Sequence, residues 1–298
     1  MINPRQMLSR NNNQMSALLL KGTAMLFFFF TVFTHDVAGL PNKKDSNPSQ
    51  YKSDYRGVGL LQWKVTPLKD PINTERPSYS SSPQPLPRGH MQIEGGYQFT
   101  YDDGGEVEDY TAPLVLLRTG LHDNLELQVG WGGYSWTEDD SEWQSDANDL
   151  TVGFKTKLID QRNTLPTVGL LLGMSLPTGS GAATSDDVDP GFGVLWTYDI
   201  DKRIGLFGTI LAKWPTEDHD RFYQTDVAVG TGFSLTDRIG TFIEYFIFLP
   251  DNNGPSHNLD AGLTYLVNNN LQLDINGGIG LNERADDLYT GIGFAWRW

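Results

Sequence analysis

Apolar and polar residues alternate along most of the chain from residue 91 to the C-terminus. In residues 91–101 every second residue is apolar or small, while Gln92, Glu94 and Gln98 lie between them. A period of two residues is typical of a β-strand whose two faces meet different surroundings. The alternation returns, in some cases less regularly, at 110–119, 125–131, 149–155, 168–176, 192–198, 204–214, 227–235, 240–249, 259–265, 271–279 and 290–298. We therefore predict about twelve strands, each long enough to cross a membrane at a tilt.

The connections between these strands alternate between short turns and longer polar loops. Short turns lie at 122–124, 160–163, 201–203, 236–238 and 268–270, and the longer loops collect acidic residues at 102–109, 138–146 and 186–189. In outer-membrane barrels the short turns face the periplasm and the long loops face outside. The pattern predicts an all-β fold, a single antiparallel up-and-down transmembrane β-barrel with both ends of its wall at the periplasmic side.

A soluble β-sandwich or lipocalin-like barrel would also show alternation. Its water-facing side would carry many Lys and Glu residues, whereas the polar face here is dominated by Gly, Thr, Ser, Asn and Gln. The apolar face carries aromatic residues toward the strand ends, namely Tyr101, Trp131, Trp196, Tyr198, Trp214, Tyr245, Tyr265, Trp296 and Trp298. Aromatic girdles at two interfaces favour a barrel surrounded by outer-membrane lipid in a Gram-negative envelope.

The region before the barrel divides into two predicted parts. Residues 1–39 place Arg5, Arg10 and Lys21 ahead of an uncharged run that is too short to span a bilayer, which is the pattern of a signal peptide. Residues 40–88 are rich in Pro, Ser, Lys and Asn and show no sustained period, so we predict a flexible periplasmic leader. The barrel itself is assigned to residues 89–298.

Composition excludes several classes of function. A net charge of −15 and a pI near 4.6 argue against binding nucleic acid, which requires a basic face. Cysteine is absent, which removes disulfides, thiolate metal sites and a cysteine nucleophile. Ser256 and His257 are neighbours on a predicted strand and point to opposite faces, so they form no catalytic dyad. We predict neither an enzyme nor a bound cofactor.

Charged residues on the polar face are predicted to point into the lumen, because Arg or Lys facing lipid near the midplane costs about 2–4 kcal/mol. The candidates are Glu94, Arg118, Glu126, Lys155, Lys157, Glu244, Asp260, Asp274 and Arg297. Opposite charges alternate among them, and we expect a network that narrows the pore and selects solutes. The alternative is a network that pairs charges only to hold the wall together.

Two further features concern the outer loops and the last strand. Closely spaced carboxylates at Asp186, Asp187 and Asp189 are candidate Ca²⁺ ligands, although such a run is also typical of a solvated loop. The last strand places Phe294, Trp296 and Trp298 on its lipid-facing side, the terminal aromatic pattern that we expect the barrel-assembly machinery to use during insertion. Arg297, on the other side of this strand, is expected beside Gln92 and Glu94 across the closing seam.

Several phrases also resemble a known family of outer-membrane transporters, labelled "MetA-pathway of phenol degradation". They are GHMQIEGGYQFTYD from 89, LLRTGLHDNLELQVGWGGY from 116, LLLGMSLPTGS from 170, GFSLTDRIGTFIEYF from 232 and SHNLDAGLTYLVNNNLQLDINGGIGLN from 256. The resemblance covers residues 76–298 and implies a transporter-like pore for small hydrophobic or aromatic solutes. The alternative function is a closed barrel that acts as a surface-binding or structural protein through its acidic loops.

Overall fold

The computed structural model describes residues 68–102, 107–139 and 142–298. The predicted signal peptide and residues 40–67 of the predicted leader lie outside the described residues. In the part of the chain that the structure describes, no helix has the length and apolar character needed to cross a membrane.

Sixteen β-strands and one short 3-10 helix form the described fold. The strands are β1 (Met91–Asp102), β2 (Val107–His122), β3 (Leu125–Trp131), β4 (Tyr134–Asp139), β5 (Glu142–Ala147), β6 (Leu150–Ile159), β7 (Thr167–Leu176), β8 (Asp189–Asp199), β9 (Ile204–Lys213), β10 (Thr216–Glu217), β11 (Asp220–Arg221), β12 (Gln224–Ser234), β13 (Ile239–Pro250), β14 (Ser256–Asn268), β15 (Leu271–Gly280) and β16 (Leu288–Arg297). The 3-10 helix covers Gly181–Ala183 in the loop after β7.

The strands close into a twelve-stranded antiparallel barrel, as the alternation predicted. Wall strands that follow one another in the chain pair with each other, and β1 pairs with both β2 and β16. At this seam Gln92 lies opposite Arg297 on one side and Arg118 on the other, which confirms the expected neighbour of Arg297. The short strands β10 and β11 form a separate ladder in an outer loop.

Two of the twelve wall strands are interrupted, which explains why sixteen segments make twelve strands. Both β3 and β4 pair with β2, and β5 and β6 continue the next wall strand in the same way. The first interruption falls at Gly133, whose φ of +73° favours glycine and whose Cβ would lie 2.5 Å from the carbonyl carbon of Ala112. Asn148, at the second interruption, donates from its amide to the carbonyl oxygen of Gly132 at 3.2 Å and ties the two breaks together.

Large apolar side chains cover the outside of the barrel. On β7, Leu172 is 59% exposed, whereas Leu171 on the opposite face is 1% exposed. Trp296 and Trp298 at the end of the wall are about half exposed, and their ring centroids lie 5.1 Å apart. An outer face of this kind is stable only against lipid, which agrees with the predicted membrane location.

The lumen is filled by part of the segment that we predicted to be a flexible periplasmic leader. Residues 74–83 are buried without interruption, and Ile72 and Leu86 are 2% and 3% exposed. For residues 72–87, which we call the plug, the prediction is therefore corrected. The composition was interpreted as solvent-exposed because a segment that pairs in no sheet has no period, but a polar lumen accepts the same Ser-rich and Pro-rich composition as water does.

Candidate functional site

Both ends of the plug lie at the periplasmic rim of the barrel. Arg297 donates from Nη2 to the carbonyl oxygen of Asp70 at 2.7 Å, close to the turn between β14 and β15. At the other end, the amide of His90 donates to the carbonyl oxygen of Pro87 at 3.1 Å, just before β1 begins. The plug therefore enters and leaves the lumen at the same end and forms a loop inside it.

Three glutamates of the wall hold the backbone of the plug by accepting hydrogen bonds from its amides. These donors have no partner within the plug's own structure because the plug forms neither a helix nor a strand, and a buried amide requires an acceptor. The contacts are Glu94 with the amides of Glu75 (2.8 Å) and Arg76 (3.0 Å), Glu244 with the amides of Tyr79 (2.6 Å) and Ser80 (3.0 Å), and Glu126 with the amide of Leu86 (2.6 Å).

Five buried charges form a cluster at the inner end of the lumen. Arg118 binds both oxygens of Glu126 at 2.9 Å, Glu94 at 3.0 Å and Glu75 at 3.0 Å. Lys155 pairs with Glu75 and lies 3.5 Å from Glu126. Glu75 belongs to the plug and the other four residues belong to the wall. Without the plug the wall still holds two cations against two carboxylates, so its charges remain balanced.

The second charge of the plug, Arg76, lies in a cradle made by glycines. Its Nε and Nη2 atoms donate to Asp274 on β15 at 3.2 and 3.0 Å. A Cβ at Gly96 would lie 2.7 Å from Cζ of Arg76, and one at Gly293 would lie 2.2 Å from its Nε. The wall at this point can therefore approach the guanidinium only because these positions carry no side chain.

Further toward the outside, the plug contacts an aromatic and aliphatic part of the wall. The ring of Tyr79 stacks on Phe246 with a centroid distance of 4.9 Å, and Leu171, Leu195 and Leu211 belong to the same buried cluster. These side chains lie on β7, β8, β9 and β13, whereas the charged cluster lies on β1, β2, β3 and β6. The lumen therefore has one charged side and one apolar side.

The hydroxyl of Tyr79 reaches Asp226 near the outer end of β12. It donates to Oδ2 at 2.5 Å. Asp226 also pairs with Lys213 and accepts a hydrogen bond from Gln224 Nε2 at 2.6 Å. The plug thus places a neutral donor against a carboxylate that the wall itself neutralises and orients.

The structure brings most of the predicted lumen residues to the plug. Glu94, Arg118, Glu126, Lys155, Glu244, Asp274 and Arg297 contact the plug or the residues that lead into it. Asp260 is buried beside Glu244 on the neighbouring strand, and its Oδ1 atom has no hydrogen-bond partner among the described residues. Lys157 differs, because it lies near a periplasmic turn and pairs with the exposed Asp160 at 2.8 Å. Their role in solute selection stays a prediction.

Four residues of this site were not predicted from the sequence, namely Glu75, Arg76, Asp226 and Lys213. The first two lie in the segment without periodicity. Asp226 and Lys213 lie at strand ends, where the alternation is weakest. The signal that was present is the Glu-Arg pair directly before the first strand, since two adjacent charges in an otherwise neutral stretch are typical of a specific contact.

The candidate Ca²⁺ ligands do not come together. Asp189 is buried and accepts a hydrogen bond from Thr216 Oγ1 at 2.7 Å, while Asp187 pairs with Arg221 at 3.3 Å. In the described ranges no group of three or more acidic, His or Cys side chains is arranged to hold a metal ion. Asp186 is the other member of the run and takes a positive φ of 58° in this loop.

Acidic residues do gather at another place on the outer end, around Asp286 in the loop between β15 and β16. Burial raises the pKa of Asp286 to about 8, and the negative charges of Asp102, Asp109 and Asp287 raise it further in the same direction. This loop is therefore protonated on one carboxyl near neutral pH.

Comparisons with known proteins support the fold and identify related chains. A family model described as "Putative MetA-pathway of phenol degradation" matches residues 74–298. No curated protein sequence matches the chain. Among solved structures, a COG4313 outer membrane channel from Pseudomonas putida F1 has a TM-score of 0.55 at 13% identity, with 72% of this chain and 97% of that chain covered.

Two other solved structures are more distant in shape. The KdgM porin has a TM-score of 0.44 at 9% identity and covers 69% of this chain and 98% of its own. The transport unit of the autotransporter AIDA-I from Escherichia coli has a TM-score of 0.42 at 10% identity and covers 70% and 89%. The similarity to the Pseudomonas structure shows a shared barrel fold, and the chain is a protein of the Gram-negative outer membrane. The matches are to channels and porins rather than enzymes, in agreement with the sequence analysis.

Proposed function

The chain belongs to the family described as "Putative MetA-pathway of phenol degradation", and on that basis we propose that it is a gated outer-membrane channel for small hydrophobic or aromatic solutes. The observation that carries the proposal is the plug, a buried loop from the chain's own N-terminal side that fills a closed barrel. A barrel with this content conducts only when the plug moves.

Three properties of the plug favour a movable gate over a permanent filling. It is held mainly by hydrogen bonds and ion pairs to the wall, which water can replace when the loop leaves. Its two ends lie at one rim, so it can withdraw toward the periplasm without threading through the barrel. The wall keeps Arg118 and Lys155 paired with Glu94 and Glu126 after withdrawal, so the open lumen would contain no uncompensated charge at this level.

The apolar side of the lumen supports the choice of solute class. Leu171, Leu195, Leu211 and Phe246 line it in a continuous cluster. A pathway with one apolar wall and one charged wall accommodates molecules that combine an aromatic or aliphatic body with a polar group. Strongly hydrophilic solutes would lose hydration along the apolar side without recovering it.

Single-channel recording in planar bilayers tests the gate. We expect the full chain to be closed most of the time and a variant that lacks residues 74–83 to conduct in stable steps. Heat-modifiable migration in gels shows that each barrel is folded before it is recorded. A folded deletion variant that never conducts would contradict the channel proposal.

A second candidate function is a closed barrel that binds partners at the cell surface through its acidic loops. The cluster around Asp286 favours it, because Asp102, Asp109 and Asp287 are concentrated at the outer end. A non-conducting deletion variant would favour this candidate, and binding of intact cells to cationic surfaces, lost on neutralising these carboxylates, would test it directly.

A further inference from the structure

The wall of the lumen contains a slot that fits the side chain of Tyr79. The ring stacks on Phe246 at 4.9 Å with an interplanar angle of 22°, and it meets Phe248 edge-on at 5.5 Å with an angle of 61°. Both arrangements are favourable for aromatic pairs. The hydroxyl points to Asp226 and donates to it at 2.5 Å. Apart from its link to the backbone, the occupant of this slot is a phenol.

All the groups that recognise this phenol belong to the barrel. Phe246 and Phe248 alternate on β13, and Asp226 lies opposite Phe248 on β12. Lys213, at the end of β9, pairs with Asp226 and lies 5.8 Å from the centre of the Phe248 ring. The slot therefore does not depend on other plug residues for its shape or its acceptor.

The acceptor makes the slot selective for a hydroxyl group. Asp226 is completely buried, and Lys213 and Gln224 hold its carboxylate in place. A buried charged acceptor that loses a donor pays the desolvation cost of the unmade bond, and sites of this kind reject ligands that lack the donor strongly. An aromatic hydrocarbon would fill the slot but leave Asp226 with one donor fewer.

We propose that this slot is a binding site for free phenols, and that Tyr79 is a built-in mimic which such a ligand displaces to release the plug. The inference rests on the proposed channel function and specifies its ligand. Asp226 and Phe248 lie near the outer ends of their strands, whereas Glu94 and Arg118 lie near the inner end. A solute that arrives from outside therefore meets the phenol slot before it meets the charged cluster.

The release follows from competition for one site. The ligand binds only the state in which Tyr79 has left the slot, so ligand binding increases the population of that state. The remaining contacts of the plug, at Glu244 and at the charged cluster, then lose the support of the stacked ring. Phenol concentration in this way sets the fraction of open channels.

Binding of p-cresol and toluene to the Tyr79→Ala variant tests the slot itself. The two molecules have similar size, and p-cresol reproduces the tyrosine side chain. Removing a buried side chain leaves a cavity that small aromatic molecules enter. We expect p-cresol to bind the purified full-length variant at least about tenfold more tightly than toluene, as a hydrogen bond to a charged group predicts, and to raise its unfolding temperature. Equal affinities would overturn the proposal.

A matched control is Phe207→Ala, which removes a buried ring that packs on Phe242 in a separate cluster. Its cavity has no carboxylate of the Asp226 kind in the aromatic pair, so we expect no preference for p-cresol there. The double variant Tyr79→Ala with Asp226→Asn should lose most of the preference. If the preference persists without Asp226, the proposed recognition is wrong.

Tyr79→Phe provides a second measurement that creates no cavity. This plug keeps its ring and loses its hydrogen bond, so p-cresol should open the variant in bilayers at about tenfold lower concentration than the unaltered chain. Unchanged sensitivity would contradict displacement. Binding to Tyr79→Ala reports on the slot without requiring conductance, so a protein that binds p-cresol but never conducts would refute the channel and leave the site standing.

Discussion

Neutralising Glu75 should release the plug while leaving the barrel wall intact. In the Glu75→Gln variant the plug loses its charged contacts with Arg118 and Lys155, both of which are fully buried. A hydrogen bond to a charged group contributes about 1.5–3 kcal/mol net, and the low end applies twice here because both cations keep wall carboxylates. The closed state therefore loses about 3 kcal/mol relative to the open state, which raises the open-to-closed ratio about a hundredfold.

The assay is the open probability in single-channel recordings at low ionic strength. The control is Asp160→Asn, which removes the same charge from an exposed pair with Lys157 at the periplasmic rim. Exposed pairs contribute little to stability, so this variant should behave as the unaltered chain does. Equal open probabilities in the two variants, both shown to be folded by heat-modifiable migration, would refute the assignment of Glu75 as an anchor of the plug.

Three other outcomes follow from particular contacts. Gly293→Ala places a Cβ 2.2 Å from Nε of Arg76, so the plug should become accessible to protease added from the periplasmic side, which gel analysis of cleavage measures. Asp286 has a folded pKa of about 8 against 3.8 for the free group, so the stability of its loop should fall as pH rises between these values and stay level above about 8; hydrogen exchange of residues 281–287 should show this dependence and lose it in Asp286→Asn. Trp298→Ala should lower the yield of heat-modifiable barrel in membranes, while Leu235→Ala, an equally exposed apolar residue, should not.

The barrel was predictable because a membrane constrains the two faces of each strand separately. Glu94, Arg118 and Glu126 lie on the polar face of regular strands, and a charge there has no stable position except the lumen. The same argument placed Phe294 and Trp296 toward lipid, where the structure has them. Strand number and direction then followed from the alternation and from the lengths of the connections.

The plug could not be predicted in this way. Its amides are bonded to the side chains of Glu94, Glu126 and Glu244 rather than to a neighbouring strand, and contacts of that kind impose no period on the sequence. The hairpin of β4 and β5 was missed for a related reason, because Gly133 and Asn148 interrupt two strands and the acidic residues beyond them are typical of a loop.

The plug is also suited energetically to act as a switch. Ordering a loop costs about 1–2 kcal/mol of backbone entropy for each residue, and a segment without helix or strand must recover that cost through contacts with its surroundings. The contacts here are divided between the charged cluster, Glu244 and the slot of Tyr79, so none of them holds the plug alone. Loss of one contact shifts the balance, whereas the barrel keeps its complete ladder of strand hydrogen bonds. A ligand that replaces the ring of Tyr79 therefore acts on the gate without weakening the wall.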